Sequence, residues 1–183
     1  LPNTFRRLFA EGTFNAAFIP SYTSIRIGSK KKGKRFADDI LGSLLLILIL
    51  IVTVVEIFTP YLVYIIAPGF IENNIKFNFA VELTRITFPF LLFVSLSSFF
   101  SGILNSNNKF AAAAAAPIIL NIILILSLII SYKLNLNIAK QLSYGVTLAG
   151  ILQLIFLFYV TLKFYKPSLV FKLKINSKVK FFF

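Results

Sequence analysis

Four long apolar runs constrain the fold more than any other feature of this sequence. Each run approaches or exceeds the roughly 20 residues that a helix needs to cross the hydrocarbon core of a bilayer. Soluble domains carry about 25% charged residues, whereas this 183-residue chain has 14% charged and 58% hydrophobic residues. The sequence therefore predicts an all-α integral membrane protein. The runs are Ile40–Ile66, Ile86–Leu104, Phe110–Tyr132 and Leu142–Leu162.

The first segment, residues 1–22, is amphipathic rather than uniformly apolar. At about 100° per residue, its charged residues fall on one half of a helix and Phe5, Leu8 and Phe9 fall on the other half. Such a helix either spans the membrane with one face toward water or lies flat at the membrane surface. Counting this segment, we predict a bundle of about five transmembrane helices. The predicted ranges are 1–22, 37–66, 86–104, 110–132 and 141–163.

Basic residues cluster in two places, a predicted loop at 24–35 and the tail that begins at Lys163. Loops rich in Lys and Arg stay in the cytoplasm, and the four predicted spans between the two clusters place both on the same side. We therefore expect the loop to be cytoplasmic and the Phe-rich tail, 167–183, to be cytoplasmic or interfacial. Most of the net charge of +13 lies in these clusters, which suits anionic lipid headgroups. We do not expect a nucleic-acid partner.

No residue pattern indicates an enzyme. The chain has no cysteine and no histidine, which removes the commonest metal ligands and the commonest general base. It also contains no phosphate-binding glycine loop and no zinc-protease motif. We predict no catalytic residue, no metal site and no cofactor. The chain lacks methionine even at position 1, so we expect a fragment or a processed product.

The acidic residues are few. Asp38 and Asp39 directly follow the basic loop, and we expect them to pair with it. Glu56 is the only acid inside a strongly apolar run. It either faces the bundle interior as an ion or proton site or lies near the outer membrane boundary, because depth within a tilted span is not fixed by sequence.

Two adjacent arginines, Arg6 and Arg7, lie on the polar half of the first segment. Arginine stays charged at physiological pH and binds phosphate through two parallel hydrogen bonds, so the pair could line an anion site. Glu11 follows Arg7 by four residues and could pair with it along a helix, which leaves Arg6 freer to bind a ligand. Alternatively, both arginines extend to the membrane surface.

The stretch "LPNTFRRLFAEGTFNAAFIP" (Leu1–Pro20) closely resembles the second-helix signature of the MurJ/MviN family of lipid II flippases. Further segments resemble later parts of the same family, in the same order. They are "APGF" (Ala67–Phe70), "ITFPFLLFVSLSSFFSGILNSNNKF" (Ile86–Phe110), "AAPIILNI" (Ala115–Ile122) and "GILQLI" (Gly150–Ile155).

This resemblance implies membership of the multidrug/oligosaccharidyl-lipid/polysaccharide exporter superfamily, with residues 1–166 forming part of its N-terminal lobe. It implies transport of lipid II, or a related polyprenyl-pyrophosphate lipid, from the inner to the outer leaflet of the bacterial inner membrane. Arg6 and Arg7 would bind the pyrophosphate in a central cavity, with Asn3 and Glu11 in support. A coupling cation or the membrane potential would drive transport, and a partial lobe alone would not transport.

Two alternatives remain open from the residues. A cation-coupled multidrug antiporter of the same superfamily would need a cavity rich in carboxylates, and Glu56 is the only acid within a span. A non-transporting membrane scaffold would use the basic segment 24–35 to bind acidic partners or lipids.

Overall fold

The computed structural model describes residues 13–168, which form helices, turns and no β-strand. A short 3-10 turn, Pro68–Phe70, follows the second helix. The all-α prediction is confirmed for this part of the chain. The helices are α1 (Thr13–Gly28), α2 (Lys30–Ile66), α3 (Asn74–Thr87), α4 (Phe90–Asn105), α5 (Phe110–Lys133) and α6 (Ile138–Thr161).

Four helical segments of the described part are long and apolar enough to cross a membrane. They are α2, the 32-residue unit Asn74–Asn105 formed by α3 and α4, α5, and α6. This confirms a multi-pass helical membrane protein. The predicted helix 1–22 falls partly outside the described residues, which include only its last part within α1.

The basic segment 24–35, which the sequence led us to expect as a loop, is helical except at Ser29. Ser29 has extended backbone angles, and its hydroxyl accepts a hydrogen bond from the Lys32 amide at the start of α2. Lysine favours helices, so the lysine run extends the span instead of interrupting it. Gly33 permits the tight α1–α2 reversal, because a Cβ there would lie 2.9 Å from Arg26 Cα.

The second predicted span, 86–104, begins earlier in the structure. α3 starts at Asn74, where the Asn73 side chain caps it by accepting hydrogen bonds from the Ile75 and Lys76 amides, each at 3.1 Å. Pro89 separates α3 from α4 because its ring removes one backbone donor and disfavours an uninterrupted helix. The polar residues of α3 interrupt the apolar pattern, so the apolar runs alone do not predict this extension.

The membrane-crossing segments alternate in direction when α3 and α4 are counted as one, which brings segment 24–35 to the same end of the bundle as Lys163 and Lys166. Asn15 contacts Ser98 and Arg26 contacts Asn107, so α1 and α4 run in the same direction. Thr147 of α6 donates to the Ile86 carbonyl near the start of α4, and Phe158 packs on Phe100 near its end. α6 is therefore parallel to α4 as well. We call the end that contains Arg26, Lys30 and Lys163 the basic end.

The predicted pairing of Asp38 with the neighbouring basic residues is wrong. Its carboxylate accepts hydrogen bonds from the Tyr165 hydroxyl at 2.5 Å, the Ser168 amide at 3.1 Å and the Ser168 hydroxyl at 2.8 Å. These bonds attach the chain after α6 to the beginning of α2. Burial, and then the bond to Asp38, raise the pKa of the Tyr165 phenol far above its usual range, so the phenol remains a donor at physiological pH. Among the described residues, three donors stabilise this buried carboxylate and no cation forms an ion pair with it.

Candidate functional site

The predicted pyrophosphate-binding residues, Arg6 and Arg7, and the supporting residues Asn3 and Glu11 all lie outside the described residues. The structure does describe α1, which follows them in sequence. Asn15 lies near the start of α1, four residues after Glu11 in the sequence. Its surroundings are the described polar surface nearest in sequence to the predicted site.

Asn15 lines a cavity of about 520 Å³ among α1, α4, α5 and α6. The polar part of its wall comes mainly from α4, where Ser97, Ser101 and Asn105 are spaced four residues apart and so share one helix face. Small residues of α5, including Ala113 and Ala114, leave room on the opposite side. The polar lining residues are Asn15, Ser97, Ser98, Ser101, Asn105 and Gln153.

Several polar atoms of this wall lack a protein partner within residues 13–168. Asn15 Nδ2 donates to Ser98 Oγ at 3.3 Å, and Gln153 Nε2 donates to the Ala116 carbonyl at 2.7 Å. However, Asn15 Oδ1, Ser97 Oγ and Asn105 Oδ1 are buried without a hydrogen bond. Buried polar groups are costly unless they are hydrogen-bonded. The wall therefore has hydrogen-bonding capacity that no described residue satisfies.

The cavity carries no side chain for acid–base chemistry. Its lining within the described residues contains no Asp, Glu, Lys or Arg. Gly102 sets its shape at the α1–α4 contact, because a Cβ at this position would lie 2.6 Å from Asn15 Oδ1 and 2.9 Å from the Phe18 ring. The described part of this wall can bind and orient a ligand through neutral polar groups.

Glu56, the predicted ion or proton residue, lies away from this cavity at a kink in α2. Phe58 has non-helical backbone angles, and Pro60 cannot donate to the Glu56 carbonyl four residues earlier. The Thr59 hydroxyl instead bonds to the Val55 and Glu56 carbonyls at 2.7 and 3.1 Å. The Glu56 carboxylate is half-buried, and its Oε1 has no hydrogen-bond partner among the described residues.

Sequence reasoning missed the α4 face entirely. Serines are common within apolar spans, so a serine there does not by itself predict a binding site. The signal that could have identified them is the spacing of Ser97, Ser101 and Asn105, which repeats every four residues. In a membrane helix, a row of polar residues on one face marks a contact with another helix or with a water-filled cavity.

The fold and these polar surfaces define a multi-pass helical membrane protein with a cavity among its spans whose described polar lining is neutral. The family model described as "Lipid II flippase MurJ" matches residues 1–183. The chain belongs to this family of transporters, as its sequence motifs predicted.

Individual relatives carry the name "Probable lipid II flippase MurJ". The protein of Rickettsia prowazekii is 45% identical over 159 residues, covering 86% of this chain and 31% of the relative. That of Rhizobium tropici is 44% identical over 158 residues, covering 84% and 30%. One from Helicobacter pylori (strain ATCC 700392 / 26695) is 35% identical over 189 residues, covering 99% and 39%. The chain thus spans about a third of the length of these relatives.

Proposed function

We propose that this chain is part of a lipid II flippase that moves its substrate from the inner to the outer leaflet by alternating access. The observation that carries this proposal is the family match, which extends over residues 1–183 and includes the arginine-bearing stretch. Transport of this kind rocks one helical lobe against another around a shared site, so the activity belongs to a complete transporter. No covalent bond is made or broken, and the protein is not an enzyme.

Arg6 and Arg7 bind the pyrophosphate of the lipid in this proposal, and Asn3 and Glu11 support them. A guanidinium binds phosphate oxygens through paired hydrogen bonds and remains charged in a hydrated cavity. The neutral cavity around Asn15 and Ser97 supports the assignment, because its unpaired oxygens suit the hydroxyl and amide groups of a glycan–peptide headgroup. Charged and uncharged parts of one ligand would then be bound by different residues.

We propose that the protein lies in the bacterial inner membrane with its basic end in the cytoplasm. The convergence of Arg26, Lys30 and Lys163 at one end of the bundle supports this orientation, since cytoplasmic ends carry excess Lys and Arg. Segment 24–35 and the tail after residue 166 would contact anionic headgroups there, and we propose no nucleic-acid partner.

Glu56 is proposed as the site at which a coupling cation or proton acts. Its unpaired carboxylate oxygen and the adjacent helix kink support this role, because ionisable residues inside spans commonly mark ion pathways. The absence of carboxylates from the described cavity lining disfavours a cationic drug as the main substrate.

Complementation of a flippase-depleted bacterial strain tests the proposal. Arg6→Ala in the full-length protein should abolish growth rescue, because the substrate would lose a charge-assisted contact. Arg35→Ala is the matched control: it removes the same side chain from an exposed position at the basic end, and it should preserve rescue. Normal growth with Arg6→Ala at equal protein level would rule out this role for Arg6.

A further inference from the structure

A second cavity, of about 590 Å³, lies at the basic end of the bundle. The end of α1, the first turns of α2 and the segment after α6 form most of its wall. Aromatic side chains, Tyr22, Phe164 and Tyr165, form part of the same wall, with Asn107 beside them. Its cationic lining residues are Arg26, Lys30, Lys34, Lys163 and Lys166.

Among the described lining residues, no carboxylate neutralises these five cations. Within residues 13–168 the only ion pair joins Lys140 to Glu82, near the opposite end of the bundle. Asp38 and Asp39 both lie near Tyr165 in the cavity wall, but neither forms an ion pair with a described residue, and the five cations outnumber them. A cavity lined by one sign of charge attracts counter-ions strongly, so this one is suited to an anion.

Arg26 is held in place before any ligand binds. Its Nη1 donates to Asn107 Oδ1 at 2.5 Å, and its guanidinium carbon lies 5.7 Å from the centroid of the Tyr22 ring. Asn107 is in turn fixed by a 2.7 Å bond from its Nδ2 to the Ile103 carbonyl. Ordering the side chain within the fold reduces the entropy lost on binding. The remaining guanidinium donors are those through which arginine binds phosphate.

Exposed apolar side chains accompany these charges. Ile27, next to Arg26, is 82% exposed, and Phe164 is 40% exposed within the cavity wall. Lys109 Nζ lies 5.8 Å from the Phe164 ring centroid, so charge and hydrocarbon are interleaved. Free phosphate would leave this apolar surface in water, whereas a lipid would cover it. Basic pockets between transmembrane helices are established places for acidic lipid headgroups.

We propose that this cavity binds the phosphodiester headgroup of an anionic membrane lipid. Arg26 contacts the phosphate, Lys30, Lys34 and Lys163 surround it, and acyl chains cover Ile27 and Phe164. The site is separate from the proposed pyrophosphate site at Arg6 and Arg7, and it does not depend on the transport activity. Its effect is to fix the depth of the basic end at the membrane surface.

Lipid binding to the full-length protein in nanodiscs provides the test, with phosphatidylglycerol as the probe and phosphatidylcholine as the neutral host lipid. Lys30 and Lys34 are one turn apart and line the cavity, whereas Lys31 and Lys32 on the same helix do not. K30Q/K34Q should lower the phosphatidylglycerol retained after purification about tenfold or more, since a basic residue near a charged surface contributes about fivefold in affinity. K31Q/K32Q removes the same charge from outside the cavity, so it weakens only the general attraction of the basic end for anionic lipid and should lower retention clearly less than K30Q/K34Q does. K163Q/K166Q, on the other side of the cavity, should reproduce the larger loss.

Three results would overturn the proposal. Equal losses in K30Q/K34Q and K31Q/K32Q would indicate diffuse surface attraction instead of a site. A second result would be that millimolar inorganic phosphate displaces phosphatidylglycerol and remains bound in its place. That result would show that the site recognises phosphate and not the acyl chains of the lipid. Unchanged retention in both cavity variants, with unchanged thermal stability, would show that the cations do not bind the headgroup.

Discussion

α4 and α5 are both apolar helices of spanning character, yet they occupy opposite environments. In the most apolar stretch of the α3–α4 unit, 61% of the residues are buried, compared with 11% in that of α5. Phe99 of α4 is fully buried and contacts the rings of Phe18, Phe100 and Tyr165. The buried residues of α5 are instead all small: Ala116, Ser127 and Ser131. Thus α4 is central and α5 is peripheral.

The difference shows that hydropathy does not determine burial in a membrane protein. Lipid tails are as apolar as leucine, so helix association relies on close packing and hydrogen bonds. α5 presents Ser127 to Gly145 of α6 and leaves Ile122, Ile125 and Ile129 exposed. Small and polar residues therefore mark the protein-facing side of a helix better than large apolar residues do.

The largest expected effect comes from truncating a buried ring on α4, with truncation of an exposed side chain on α5 as the comparison. Phe99→Ala should lower the free energy of unfolding by about 3–5 kcal/mol, because it removes a buried ring and leaves a cavity. Ile125→Ala on α5, where the side chain is 57% exposed, should change it by less than about 0.5 kcal/mol. Denaturant titration of the purified protein in mixed micelles measures both values. Similar losses in the two variants would contradict the central and peripheral assignments.

A smaller effect is expected where glycine allows close helix contact. Gly102→Ala on α4 should destabilise by about 1–3 kcal/mol, because the new Cβ would meet Phe18, a fully buried ring that cannot move aside. Gly145→Ala at the α5–α6 contact should cost less, since its nearest neighbour is the Ser127 hydroxyl, which can rotate. The same titration compares the two variants. Adding Ser127→Gly should restore stability to Gly145→Ala, and a double variant that gains nothing would show that Ser127 is not the obstacle.

The four long apolar spans were predictable from sequence because apolar length is a local property. The residues at which the spans begin and end were less predictable. The lysine run Lys30–Lys32 was interpreted as a loop because of its charge, although lysine favours helices and the structure continues α2 through it. α3 was not predicted because its polar residues, such as Glu82 and Arg85, interrupt the apolar pattern, although the segment is helical.

The polar contacts could not be obtained from local patterns. Asp38 was assigned to adjacent cations, but its actual partners, Tyr165 and Ser168, are 127 and 130 residues away in the chain. A single sequence gives no indication of such pairs. The spacing of Ser97, Ser101 and Asn105 was visible, but which neighbour would face it depends on how α1 and α5 pack. The roles of Arg6, Arg7, Asn3, Glu11 and Glu56 stay predictions.

In the smallest expected effect, the substitution on the peripheral helix α5 costs more stability than the substitution on the central helix α4. Ser131 of α5 is 1% exposed and its hydroxyl donates to the Leu136 carbonyl at 2.9 Å, whereas Ser95 of α4 is 2% exposed and its hydroxyl has no partner among the described residues. Ser131→Ala should therefore cost about 1 kcal/mol, the usual net contribution of one hydrogen bond, while Ser95→Ala should be neutral or stabilising because it removes an unpaired buried polar group. Denaturant titration again distinguishes them. A greater loss from Ser95→Ala would mean that its hydroxyl is satisfied in the membrane, by water or by another part of the transporter, and that the central helix depends on polar contacts as much as the peripheral one.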